Sequence, residues 1–155
     1  APILLLLVSA ALYSRTLAMT GVSTAIQDTF LSTDMLPWMI LTAMVGIWFL
    51  LGMVIDSISI MLLTVTIFEP IAVNLGYDPI AFAIVGILAI EAGLLTPPFG
   101  LLVYTVKAAI QDEDDGVSIM HIFQSSTPYW IIMLAGMIAI ANYPQIATYL
   151  PNLVF

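Results

Sequence analysis

The apolar residues of this chain fall in uneven blocks, and the unevenness predicts its elements. A helix that crosses a bilayer needs about 20 apolar residues to match a hydrocarbon core of about 30 Å. The first block, Pro2 to Leu12, continues as a helix through Arg15 to about Met19. Gly21 to Thr33 is then polar and amphipathic, with Val22, Ile26 and Phe30 recurring at four-residue spacing. That periodicity suits a helix lying in the membrane interface; a connecting loop with one helical turn fits it equally.

The block from Met35 to Phe68 carries a single charge, Asp56. As one straight helix it would run roughly 50 Å at about 1.5 Å per residue, too long for a bilayer, so the chain must reverse. Gly52 and Asp56-Ser57-Ile58-Ser59 offer the place. The turn is short and mostly apolar. It predicts a re-entrant helical hairpin with its tip inside the membrane, where irregular backbone is admissible only against protein or a water-filled cavity. Glu69-Pro70 is expected to kink or end the second arm, and Asn74-Leu75-Gly76-Tyr77-Asp78-Pro79 reads as a turn.

Ile80 to Ile110 is again too long for one span, and it is again interrupted, by Gly93-Leu94-Leu95-Thr96-Pro97-Pro98-Phe99-Gly100. Two prolines withhold two backbone donors and free the carbonyls one turn earlier. The stretch predicts a helix that unwinds within the membrane and resumes after Gly100. Gln111 to Gly116 reads as an acidic turn in water. Val117 to Ser126 reads as an interfacial segment, and Thr127 to about Ala141 as a final span that Tyr143-Pro144 kinks or ends. Trp130, Tyr129, Tyr143 and Tyr149 suit an aromatic belt.

Composition sets the class. Hydrophobic residues make up 62% of the 155 residues and charged residues 8%, where a soluble domain carries about 25% charged. So few charges cannot cover a soluble globule of this size. The chain therefore reads as one all-α integral membrane region over 1–155. Within it, 1–33 is a span plus interfacial helix, 35–75 a re-entrant hairpin and exit helix, 79–110 a broken helix, and 117–151 an interfacial segment and last span. It opens inside an apolar block without an initiator Met or a basic leader, so it reads as part of a longer protein. Net charge is -8 with only Arg15 and Lys107 positive, which argues against nucleic-acid binding. Cysteine is absent, so no thiol chemistry is available.

Two interrupted apolar segments in one membrane protein point to secondary transport, because such transporters bind substrate and coupling ions on discontinuous helices near the midplane. Unwound carbonyls and helix C-terminal ends attract a cation, and helix N-termini attract an anion. The oxygen donors on offer are the carbonyls near Gly52, Gly93 and Thr96, the Thr96 hydroxyl and the Asp56 carboxylate. Asp56 at depth is costly unless paired or facing a polar cavity; it reads as a cation ligand, or as the N-cap of the second arm with Ser59 at the third position after it. Glu91 reads as a proton or cation site, or as an acid bonded to a neighbouring helix. His121 reads as structural, and Arg15 and Lys107 as interface anchors. No Gly-x-Ser-x-Gly, His-Glu-x-x-His or Walker loop occurs, so the chain is not expected to be an enzyme. An intramembrane aspartyl protease using Asp56 and Glu91 is disfavoured, because such an enzyme needs two aspartates on facing helices and Asp78 lies in a turn. A hairpin-containing transporter without a binding protein and a purely structural membrane subunit are the other classes considered.

Several stretches resemble one family. Leu51-Gly52-Met53-Val54-Ile55-Asp56 resembles the second hairpin tip of the large membrane subunits of TRAP (tripartite ATP-independent periplasmic) transporters. Leu75-Gly76-Tyr77-Asp78-Pro79 resembles the turn that follows it, and Glu91 to Leu101 the family's broken helix. Ser14-Arg15 with Leu17-Ala18, and Tyr143-Pro144-Gln145 to Leu150-Pro151, also fit. The chain is thus similar to the C-terminal half of such a subunit. The resemblance implies one half of an inverted-repeat, elevator-type transporter in the bacterial inner membrane, with multiple passes through it. It implies sodium as the coupling ion with no other cofactor, a small organic anion as cargo, and two protein partners: a small membrane subunit and a periplasmic substrate-binding protein. By position, Gly52, Asp56, Gly93, Thr96 and Pro97 become sodium-site candidates. Met53, Thr96, Pro98 and Gly100 become walls of the substrate cavity. The chain departs from the family pattern at Ser57, where members often carry Pro, and at Ala89 and Leu102, where they often carry Asn.

Overall fold

The computed structural model describes residues 2–32, 35–110 and 117–154. The acidic run Gln111 to Gly116, expected as a solvated turn, lies outside them, as does Thr33 at the end of the amphipathic stretch. Among the described residues the chain forms eight helices: α1 Pro2–Thr20, α2 Val22–Leu31, α3 Pro37–Gly52, α4 Ser57–Asn74, α5 Pro79–Leu95, α6 Leu101–Ile110, α7 Ile119–Asn142 and α8 Gln145–Val154. Two of them, α4 and α7, are long and apolar enough to cross a membrane. Helices α3 and α5 have 16 and 17 residues, about 24 and 26 Å at about 1.5 Å per residue, short of a hydrocarbon core of about 30 Å.

Local chemistry explains where helices stop and start. Pro37 and Pro79 occupy first helical positions, where a missing N–H costs nothing. The Asp78 carboxylate accepts from the amides of Ile80 and Ala81, both at 2.9 Å, and so caps α5. Asp56 caps α4 in the same way, accepting from the Ser59 amide at 3.0 Å.

One open alternative closes as a helix, and two segments differ from the expectation. The amphipathic stretch is a helix, α2, with Ile26 and Phe30 packed against the core. Pro70 does not end the second arm; α4 runs through it to Asn74. The interfacial segment and the last span are one 24-residue helix, α7, which runs through Pro128. One proline removes one backbone bond, and the bonds of the adjoining turns carry the helix across. Hydroxyls also turn inward around Pro128: Ser125 donates to the His121 carbonyl at 2.9 Å and Thr127 to that of Phe123 at 3.0 Å. These two hydroxyls are thereby paired within their own helix. Beyond Tyr143-Pro144 the chain forms a further helix, α8, which no periodicity had singled out.

Trp48 is the centre of the core. It is 1% exposed, and its ring meets Phe68 of α4 at 5.2 Å and Phe82 of α5 at 5.0 Å between centroids. Its indole N–H donates to the Thr64 hydroxyl of α4 at 2.7 Å. Gly86 of α5 makes room for it, since a Cβ there would lie 2.6 Å from the indole ring. One side chain thus joins α3, α4 and α5. Helix α7 runs antiparallel to α5: Ser126 near its start meets Leu95 at the end of α5, while Ile140 and Ala141 near its end share a groove with Phe82 and Val85. Outward faces are apolar, with Ile132 of α7 68% and Leu50 of α3 63% exposed; contiguous apolar surface of this kind needs lipid or protein against it rather than water.

Candidate functional site

The two interruptions meet at their helix ends. Helix α3 stops at Gly52 and α4 restarts at Ser57; α5 stops at Leu95 and α6 restarts at Leu101. A Cβ on Gly93 would lie 3.1 Å from both the Cα and the carbonyl carbon of Gly52 and would collide with the Phe49 carbonyl oxygen. A Cβ on Gly52 would collide in turn with the Ile90 carbonyl oxygen. The two backbones are therefore in contact, each glycine presenting a hydrogen where any other residue has a side chain. Of the sequence-derived candidates, Gly52 and Gly93 are brought together.

The remaining candidates are distributed along the two breaks. Met53 is half-buried and follows the end of α3. The carbonyls of Leu50 and Leu51 are taken by the amides of Met53, Val54 and Ile55, and no backbone amide among the described residues reaches that of Gly52. Asp56 is exposed and engaged with Ser59 as a helix cap, and no hydrogen bond joins it to Thr96 among the described residues. Thr96 is half-buried with extended backbone just past the end of α5. Its amide donates to the Gly93 carbonyl at 3.0 Å and its hydroxyl to the Ala92 carbonyl at 2.7 Å. With the hydroxyl proton committed there, the oxygen is left able to accept. Pro97 and Pro98 are exposed within the break. The helical donor for the Leu94 carbonyl would be Pro98, which has no N–H. Gly100 is buried at φ 45, a left-handed backbone that a side chain would strain, and a Cβ there would lie 2.6 Å from the Phe123 ring.

Glu91 is half-buried on α5, and with Ser57, Ile58 and Met61 of α4 it lines a cavity of about 280 Å³. His121 is exposed in the first turn of α7, where its amide donates to the Ser118 hydroxyl at 3.3 Å. Sequence reasoning missed Phe123 and Ser126 of α7, which close on the α5 break from the other side. Ser126 sits in the run Gln124-Ser125-Ser126-Thr127, whose polarity signalled an interface; only the contact with Leu95 separates Ser126 from its neighbours.

An all-helical bundle with apolar outer faces and two helices long and apolar enough to cross a membrane, whose interrupted helices touch through backbone at their ends, fits a membrane helical bundle. A family model for the "Tripartite ATP-independent periplasmic transporter, DctM component" matches residues 1–146, and the chain belongs to that family. It is 27% identical to the C4-dicarboxylate TRAP transporter large permease protein DctM of Pseudomonas aeruginosa, over 97% of this chain and 34% of that protein. It is 26% identical to the sialic acid TRAP transporter permease protein SiaT of Haemophilus influenzae, over 96% of this chain and 23% of that protein. It is 33% identical to the ectoine/5-hydroxyectoine TRAP transporter large permease protein UehC of Ruegeria pomeroyi, over 72% of this chain and 25% of that protein. The chain spans about a third of the length of the first of these relatives. No solved structure matches it.

Proposed function

We propose that this chain is a section of the large subunit of a sodium-driven importer of small organic anions in the bacterial inner membrane. The observation that carries the reading is the backbone contact of Gly52 with Gly93, which sets two interrupted helix ends side by side. Helix C-termini carry partial negative charge, and both ends here are C-terminal, α3 at Gly52 and α5 at Leu95. Two such ends with unpaired carbonyls favour a hard monovalent cation among oxygen donors. The donors in this reading are the carbonyls of Gly52 and Leu94, the Thr96 hydroxyl and, across the tip, the Asp56 carboxylate. Gly93 and Pro97 shape the site without donating side chains. Met53, Pro98 and Gly100, with Thr96, form one wall of the substrate cavity. The α3–α4 pair is a re-entrant hairpin, and hairpin and broken helix move together in an elevator-like cycle. A periplasmic binding protein delivers the anion, and a small membrane subunit braces the large one. The cargo is a carboxylate, of the kind that the dicarboxylate and sialic acid relatives are named for.

The test is uptake of labelled organic acids into proteoliposomes that hold the full-length large subunit, its small subunit and its binding protein, with and without an inward sodium gradient. Sodium-dependent uptake that a Thr96→Ala, Asp56→Asn double variant lacks is the expected result. Uptake indifferent to sodium would overturn the reading.

A further inference from the structure

The end of α5 is held from outside by one turn of α7. Ser126 is 8% exposed, and its hydroxyl reaches the Leu95 carbonyl at 3.2 Å as well as the Phe123 carbonyl of its own helix at 2.9 Å. Leu95 is the last residue of α5, so this carbonyl belongs to the peptide group that leads into Thr96. The N–H of that same peptide is the Thr96 amide, which donates to the Gly93 carbonyl at 3.0 Å. The peptide before Thr96 is therefore contacted at both ends: its nitrogen donates within α5, and its oxygen takes the longer branch of a hydroxyl proton that Ser126 shares with the Phe123 carbonyl of its own helix. That peptide leads directly into Thr96, whose hydroxyl is the side-chain donor of the proposed site next to the break. Three residues earlier on α7, the Phe123 ring lies against Gly100, where α6 restarts, and edge-on to Tyr104 at 6.2 Å. One turn of α7 thus touches both sides of the break.

We infer that Ser126 is a positioning residue for the cation site of the proposed transporter, acting through the Leu95–Thr96 peptide. The inference rests on the sodium-coupled reading above. A group that only filled space would affect folding and assembly; a group that aims a ligand affects ion affinity first. Removing one hydroxyl donor that holds a ligand-bearing peptide raises the sodium concentration for half-maximal uptake about threefold to tenfold. The matched control is Ser125, one residue away and exposed, whose hydroxyl bonds only within its own helix among the described contacts.

Uptake would be measured against sodium concentration in the proteoliposomes described above, for wild type, Ser126→Ala, Ser126→Cys and Ser125→Ala. The expected result is a raised sodium half-saturation for Ser126→Ala, a smaller rise for Ser126→Cys, and none for Ser125→Ala. Maximal uptake and the substrate KM at saturating sodium stay within about twofold of wild type, as expected where a ligand is only misaimed. Should Ser126→Ala not assemble, the near-isosteric Ser126→Cys, a weaker donor, carries the test. An unchanged sodium half-saturation in the assembled variants, or an equal rise in Ser125→Ala, overturns the inference and leaves the transport reading standing. A wild type without sodium dependence overturns the transport reading, and the inference falls with it.

Discussion

Gly52 at the end of α3 and Gly93 in the last turn of α5 lie against each other so closely that neither could carry a side chain: each would drive its Cβ into a backbone carbonyl of the facing helix, Ile90 for Gly52 and Phe49 for Gly93. The obstruction is backbone, which cannot swing aside as a flexible side chain can. Both helices end within a few residues of the contact, so the crossing also fixes where the two breaks lie relative to each other.

Gly93→Ala and Gly52→Ala should each destabilise the folded subunit by about 1–3 kcal/mol, the usual range for overpacking. Gly136→Ala provides the contrast, because nothing lies within 4 Å of its Cβ. There a helical alanine should be neutral or stabilising by up to about 1 kcal/mol. Thermal unfolding of the detergent-purified full-length subunit reads all three, and a Gly93→Ala variant as stable as wild type would deny the backbone contact.

Trp48 and Thr64 should behave as a coupled pair. Thr64→Val leaves the buried indole N–H without its acceptor, a loss of about 1–3 kcal/mol. Trp48→Phe loses the same bond together with packing against Phe68 and Phe82. In the double variant no orphaned donor remains, so its cost should fall short of the sum by about 0.5–1.5 kcal/mol. Strict additivity in a double-mutant cycle would contradict the 2.7 Å hydrogen bond.

Asp56 has two roles that substitution can separate. As the N-cap of α4 it needs only an oxygen acceptor, which Asn supplies as well as Asp. As an ion ligand in the proposed site it needs its charge. Asp56→Asn should therefore keep thermal stability within about 0.5 kcal/mol while sodium-dependent uptake falls at least tenfold; Asp56→Ala should lose about 1 kcal/mol in addition. Full uptake by Asp56→Asn would reduce the residue to a cap.

Thr96 offers a similar separation. Thr96→Ser keeps the hydroxyl that donates to the Ala92 carbonyl and should keep sodium half-saturation within about threefold of wild type. Thr96→Val keeps the shape without the oxygen, and its half-saturation should rise at least tenfold, the order expected when one ligand is lost from a site of few donors. Equal behaviour of the two variants would take the hydroxyl out of the cation site.

The sequence by itself determined the helix punctuation. Pro97 and Pro98 cannot donate, Asp56 and Asp78 cap the helices that follow them, and Pro37 and Pro79 suit first helical positions; these effects act within a few residues and need no partner from elsewhere. Pro70, read as a kink or an end of the second arm, lies within α4, and Pro128 lies within α7; both helices are packed against others, and packing outweighs a single lost backbone bond. The partnerships needed the tertiary structure. Gly52 with Gly93, Trp48 with Thr64 and Ser126 with Leu95 depend on how far each helix is rotated about its axis and at what angle it crosses its neighbour. A near-uniformly apolar helix leaves that rotation open, because hydrophobicity all round favours no face. Shape decides it: the gap at Gly86 that admits the Trp48 ring, and the two glycines that let α3 and α5 touch.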